Sequence, residues 1–160
     1  MKKLILSAAI LLAGFSAINA QTTASQNVTL TLQNAINISI TAATGTAFSF
    51  DDVNEYQTGL SNTNASTFLV KSNRPWTVTV KAATATFSGP VAPATQMPST
   101  VLGVRLSNGS AFAALSTTGA TLTTGARGSS SFNIDYNAAP GFVYDAGTYT
   151  LSVVYTTTQQ

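Results

Sequence analysis

Apolar side chains recur at every second position along most of the chain, and this two-residue alternation constrains the fold more than any other feature. In an extended strand every second side chain points to the same face, so each alternating run predicts a strand with one buried face. Clusters of Gly, Asn, Ser and Pro separate the runs, as at Asn108-Gly109. The runs lie at residues 28–32, 36–40, 48–50, 67–71, 76–80, 102–106, 132–136 and 149–155.

Short half-buried strands separated by frequent turns predict an all-β protein. The expected architecture is an immunoglobulin-like β-sandwich of about eight or nine antiparallel strands, with a small β-barrel as the alternative. Residues 21–160 are expected to form a single domain, because neither side of the proline-rich stretch 89–99 has enough strands to close alone. That stretch predicts a crossover loop, and the alanine-rich stretch 111–115 predicts one helical turn at most.

The first 20 residues have the order of a removable export signal. Lys2 and Lys3 precede an apolar run that ends at Phe15, and a small residue, Ala20, stands at the expected cleavage site. The apolar run is shorter than the roughly 20 residues that cross a bilayer. We therefore expect a mature chain without a membrane span, exported to the periplasm, the cell surface or the extracellular space.

Loss of this signal would leave the chain electrically neutral. Sparse cations cannot neutralise a row of phosphates, so no nucleic-acid partner is expected. A neutral, threonine-rich surface also offers little charge repulsion against self-association. The basic residues that remain, against five acids, are Lys71, Arg74, Lys81, Arg105 and Arg127.

The residue types that most enzymes use for acid–base and nucleophilic chemistry are missing. The chain contains no histidine and no cysteine, which removes the usual general base, the thiolate nucleophile and the best zinc ligands. Ser129, Ser130 and Ser131 form a hydroxyl cluster, but a serine nucleophile needs an activating base. We expect a protein that is not an enzyme and that has no catalytic residues.

Asp51, Asp52 and Glu55 form the best metal candidate in the sequence. Hard oxygen ligands within five residues suit Ca²⁺, although the spacing lacks that of a full calcium loop. The competing interpretation is a solvated turn capped by its acids, which we prefer. We therefore expect no metal and no cofactor.

Four aromatic residues are candidates for a platform that stacks on sugar rings. Trp76 has the parity of its alternating strand, which predicts a place in the core. Phe142 and Tyr144 occupy a turn-rich segment and are the candidate ligand-binding aromatics, with Tyr56 as a further member of the platform. A polysaccharide is the partner that this set would bind.

Near the end of the chain, Gly147 precedes the alternating residues Tyr149, Leu151, Val153 and Tyr155. This glycine-led segment resembles the final strand of fimbrial-subunit and spore-coat-protein-U-like domains. The resemblance implies an immunoglobulin-like fold and assembly into fibres in which a neighbouring subunit supplies a missing strand.

Val28, Leu30 and Leu32 are similar to the donor strand of such a fibre. They follow the leader at residues 21–26, so the segment could add to the sheet edge of a neighbour, beside residues 149–155. The alternative is that it forms the first strand of its own domain.

These features favour a structural or adhesive surface subunit whose partners are further copies or other surface subunits. A secreted carbohydrate- or ligand-binding module is the alternative function.

Overall fold

The structure, a computed structural model, describes residues 22–90 and 95–160. The predicted export signal and its cleavage site lie outside the described residues. The chain divides into two units, Met1–Leu32 and Gln33–Gln160.

The described part of the first unit, residues 22–32, contains no helix and no strand. Val28, Leu30 and Leu32 are 78%, 82% and 86% exposed. The strand predicted at residues 28–32 is therefore not formed. Alternation produces a segment with one apolar face, but a strand also needs a neighbour for its backbone hydrogen bonds.

The second unit is an antiparallel β-sandwich, as the alternation predicted. A five-stranded sheet has the order β1-β2-β7-β4-β5, and a three-stranded sheet has the order β6-β3-β8. The two sheets of the described chain stay separate and do not close into the alternative barrel. The elements are β1 (Ile36–Ala43), α1 (Val53–Thr58), β2 (Leu60–Ser72), β3 (Trp76–Ala82), β4 (Leu102–Leu106), β5 (Ala113–Ala114), β6 (Ala120–Gly125), β7 (Gly128–Ala138) and β8 (Val153–Gln159), with a 3-10 turn at Ser99–Val101.

The core lies between the inner faces of the two sheets and follows the predicted parity. On β3, Trp76, Val78 and Val80 are buried, while Thr77 and Thr79 alternate with them. The placement of Trp76 in the core is confirmed, because only 1% of it is exposed. Trp76 is consequently not available as a sugar platform.

Several elements differ from the prediction. Phe48 and Phe50 pack against the core from an irregular segment rather than from a strand. Tyr149 and Leu151 precede β8, because β3 ends at Ala82 and the chain beyond it pairs with residues 149–152 irregularly. The Ala83 amide donates to the Ser152 carbonyl, and Ser88 and Thr150 form an isolated bridge. The alanine-rich stretch 111–115 contains β5, not a helical turn.

A buried carboxylate stabilises an irregular stretch of β2. The register between β2 and β7 shifts between Asn62 and Ser66, and Asn64 adopts a left-handed backbone conformation with φ 51°. The Asn64 amide donates a 2.8 Å hydrogen bond to Asp135, which also accepts from Ser107 Oγ at 2.6 Å and from Arg105 Nε at 3.0 Å. Asp135 therefore connects β4, β7 and the shifted part of β2.

Candidate functional site, an open groove between β1 and β8

An open groove separates the edge strand of one sheet from the edge strand of the other. β1 ends the order of the five-stranded sheet, β8 ends that of the three-stranded sheet, and the two strands are near each other across the sandwich. The cavity beside them has a volume of about 230 Å³. Most of its lining is apolar, and the side chains include Ile40, Phe48, Phe68, Leu151, Val153 and Tyr155.

The outer edge of β8 has a free set of backbone groups. In the described chain β8 pairs with β3 alone, from Val153 opposite Ala82 to Gln159 opposite Trp76. An unpaired edge presents backbone donors and acceptors that a further strand can use. The groove therefore offers apolar contacts and main-chain hydrogen bonds to an extended segment.

Two tyrosine hydroxyls join the sheets within the groove. Tyr136 on β7 and Tyr155 on β8 share a hydrogen bond of 2.6 Å. Burial is the main cause that raises the pKa of both hydroxyls, and the neighbouring Tyr136 adds to the rise at Tyr155. Both groups therefore stay protonated at neutral pH, and the pair adds hydrogen-bonding capacity to an otherwise apolar lining.

One end of the groove is held together by amide side chains. Gln159 Nε2 lies 2.9 Å from the Ala35 carbonyl, 3.1 Å from Ser72 Oγ and 3.0 Å from Asn73 Oδ1. Asn73 in turn donates to the Gln33 carbonyl at 2.7 Å and accepts from the Ala35 amide at 3.0 Å. These contacts fix the start of the sandwich beside the end of β8.

The predicted assembly residues fall into different places. Val153 and Tyr155 line the groove from β8, and Leu151 lines it from the segment before that strand. Tyr149 instead packs against Gly89 and donates a 2.9 Å hydrogen bond to the Asp145 carbonyl. Val28, Leu30 and Leu32 belong to the first unit and are exposed, as described above.

Sequence reasoning missed several groove residues. Ile40 and Tyr136 follow strand parity, which predicts burial but does not show which two strand edges will face each other. Gln159 and Asn73 carried no signal, because a terminal amide and a turn amide are common in solvated positions.

The acidic candidate at Asp51, Asp52 and Glu55 forms the start of α1. The Asp52 side chain accepts from the Asn54 amide at 2.7 Å, while Glu55 Oε2 accepts from the amides of Asp51 and Asp52 at 2.9 and 3.2 Å. This is a capping box, in which the acids satisfy the free amides of the first helical turn. Over residues 22–90 and 95–160, no group of three metal-ligating side chains is positioned to hold an ion.

We expect Asp52→Ala to lower the free energy of unfolding by about 1 kcal/mol, the usual effect of losing an N-cap. Asp52→Asn should lose only a fraction of that, because an amide oxygen also caps. Thermal melts of both variants with and without millimolar Ca²⁺ provide the check. A saturable calcium-dependent rise in the wild-type melting temperature that disappears in Asp52→Ala would contradict the prediction of no metal.

Two of the candidate ligand aromatics meet at the surface. The ring of Phe142 stacks on Tyr56 with centroids 5.6 Å apart, and Phe142 is 62% exposed. Tyr144 is half-buried and takes part in none of the ring pairs found in the described residues.

Within residues 22–90 and 95–160, no helix has the length and apolar character needed to cross a membrane. Comparison of the chain with protein-family models finds no match, and comparison with curated proteins finds none.

Proposed function

We propose that the chain is an exported structural or adhesive subunit of the bacterial surface that associates with further copies, as fimbrial subunits do, by strand addition. The observation that carries this proposal is the groove between β1 and β8. Its lining is apolar, one of its edges has free backbone groups, and the same chain has an exposed alternating segment at Val28, Leu30 and Leu32.

The exposed segment suits the groove in length. Its eleven described residues, 22–32, can span roughly 36 Å when extended, whereas the seven residues of β8 extend over about 23 Å. An added strand would pair with the free edge of β8 and direct alternate side chains into the groove. Register follows from the parity of those side chains, since a shift by one residue would turn the apolar face outward.

Burial of the exposed apolar side chains supplies the driving force. Complete burial of a valine or leucine side chain contributes about 1.5–3 kcal/mol, and three such side chains are exposed in this segment. The same insertion would cover the apolar lining of the groove. Association therefore buries apolar surface of both molecules, the donor segment and the groove of the recipient.

The remaining features of the sequence agree with this role. The predicted export signal would take the chain out of the cytoplasm, and the C-terminal segment resembles that of fimbrial-subunit and spore-coat-protein-U-like domains. The absence of histidine and cysteine argues against catalysis as the function. Further copies or other surface subunits are the proposed partners.

Leu30→Asp is expected to abolish oligomers while the monomer stays folded. The substitution would place a carboxylate in the groove without a partner, which is strongly unfavourable. Thr29→Asp, whose side chain has the opposite parity, is the matched control and should assemble like the wild type. Sedimentation velocity measures assembly, and far-UV circular dichroism confirms folding.

The proposal fails if Leu30→Asp assembles like the wild type, or if the wild type stays monomeric under every assembly condition. It also fails if Leu30→Asp unfolds the monomer, because the segment would then be a strand of its own domain.

A further inference from the structure

An exposed aromatic patch lies at the end of the sandwich where β2 begins and β7 ends. It consists of Val53, Tyr56, Phe142 and Val143, and the three outermost members, Val53, Phe142 and Val143, are 69%, 62% and 65% exposed. Phe50 packs on Tyr56 with centroids 5.3 Å apart and so supports the stacked pair from the core side. We call this the aromatic end. An apolar surface of this kind in an otherwise threonine-rich exterior indicates a contact surface.

The aromatic end also carries negative charge. Asp51, Asp52 and Glu55 surround the start of α1, the helix that presents Val53 and Tyr56. Their hydrogen bonds within the capping box satisfy backbone amides and leave their charges uncompensated by any ion pair in the described chain.

The opposite end of the sandwich, where β2 joins β3 and β6 joins β7, carries positive charge. Arg74 and Arg127 are exposed in those two turns, and Lys71 is exposed near the end of β2. We call this the basic end. It has an open and mainly apolar recess of about 460 Å³, with Ala35, Ile36, Lys71, Asn73, Gly128 and Ser129 in its lining.

The two ends are complementary in charge, although the chain without its predicted signal would be neutral. Arg105 and Asp135 form the one ion pair of the described residues and neutralise each other. Of the remaining charges, three acids lie at the aromatic end and three cations at the basic end. Lys81 lies near the end of β3, toward the aromatic end, and offsets part of the negative charge there, and Asp145 is the remaining acid. Such a distribution attracts unlike ends and repels like ends.

Strand addition determines which ends meet. The sandwich unit begins at the basic end, because Asn73 there donates a hydrogen bond to the carbonyl of Gln33, the first residue of that unit. β8 runs from the aromatic end to the basic end. An inserted strand antiparallel to β8 therefore ends at the recipient's aromatic end. Because the donor's own sandwich begins directly after that strand, the donor's basic end must lie beside the recipient's aromatic end. A parallel strand would instead bring two basic ends together.

We infer that the aromatic end of one copy docks on the basic end of the next, with Phe142 and Val143 against the recess beside Arg74 and Arg127. This inference rests on the proposed strand addition. It supplies a second contact between subunits, and because the two contacting surfaces differ, the contact repeats in one direction and produces a polar filament rather than a closed dimer. The guanidinium groups of these arginines can also make cation–π contacts with the exposed aromatic rings.

Engineered cysteines test the end contact directly, because the natural chain contains none. A chain carrying both Val143→Cys and Ala126→Cys, the latter next to Arg127 in the exposed turn between β6 and β7, should form a ladder of intermolecular disulfides under mild oxidation. Each single variant should form at most slow dimers, since like ends repel. The matched control pairs Ala126→Cys with Thr121→Cys, an exposed position on β6 at the side of the sandwich, and should yield at least tenfold less ladder.

Salt should weaken the contact, since the Debye length falls from about 10 Å at 0.1 M to about 3 Å at 1 M ionic strength. We expect the ladder to form about tenfold more slowly at the higher ionic strength. Adding Phe142→Ser to the chain that carries Val143→Cys and Ala126→Cys should slow ladder formation by a similar factor.

Absence of a ladder at millimolar protein concentration would overturn the end contact, as would single variants that cross-link as fast as the double variant. Retention on a polysaccharide that is lost in Phe142→Ala, without a ladder, would overturn it in favour of sugar binding.

Strand addition is judged separately by the assembly of Leu30→Asp and Thr29→Asp. The ladder is then repeated in the Leu30→Asp chain, where loss of the ladder at unchanged folding shows that the end contact depends on the inserted strand.

Discussion

Replacement of Trp76 by alanine is expected to lower the free energy of unfolding by about 3–5 kcal/mol, the usual cost for a large buried aromatic. Trp76 is 1% exposed and packs in one cluster with Val70 and Val78. Its ring lies 6.4 Å from that of Phe132, and Gly125 lies so close to the indole that a Cβ atom there would overlap it. The cavity left by alanine would therefore open in a tightly packed region.

Urea unfolding followed by far-UV circular dichroism measures this loss, because Trp76 is the single tryptophan and its replacement removes the tryptophan fluorescence that would otherwise report unfolding. Trp76→Phe should cost much less, since the indole Nε1 makes no hydrogen bond within the described structure. Thr158→Ala, at an exposed position of β8, is the surface control. A change below about 0.5 kcal/mol for Trp76→Ala would contradict the core placement.

The second large effect is expected for Asp135→Asn, which should lower the free energy of unfolding by about 3 kcal/mol at neutral pH. Asn retains one oxygen for the Asn64 amide and Ser107, but its NH₂ group would face the Arg105 Nε–H, so a donor would meet a donor. Arg105 keeps a quarter of its side chain exposed and contacts the Phe112 ring, which moderates the loss.

The effect of Asp135→Asn should depend on pH. Burial alone raises the pKa of the Asp135 carboxyl, but hydrogen bonds from Ser107, Asn64 and Arg105, with the charge of Arg105, more than offset it and lower the pKa below its ordinary value. A lowered folded-state pKa stabilises the protein above the unfolded-state pKa of about 3.9, and the stabilisation is lost as the pH falls through the folded-state pKa. The difference between wild type and Asp135→Asn should therefore narrow below about pH 4.

Urea titrations at pH 7 and at about pH 2.5 test this dependence. Arg105→Gln and the double variant complete a mutant cycle, in which we expect a coupling energy of about 1 kcal/mol or more between the two side chains. Additive effects, or an equal loss at both pH values, would show that Asp135 does not act through its charge.

Local patterning determined most of the strand content. Strands form at residues 36–40, 76–80 and 102–106 as their alternation predicted, because one face of each could be buried only in an extended conformation. Trp76 was placed in the core by parity alone. The acid-capped turn at residues 51–55 also followed from the sequence, because a capping box depends on residues that are close together in the chain.

Only the tertiary structure decided how strand edges meet. Alternation is as regular in residues 28–32, which form no strand, as in β3, because it reports a two-faced segment and not the presence of a hydrogen-bonding neighbour. The groove arises because β1 and β8, far apart in sequence, become the edges of different sheets. The stacking of Tyr56 on Phe142 and the separation of charge between the two ends likewise depend on long-range strand order, which no local pattern encodes.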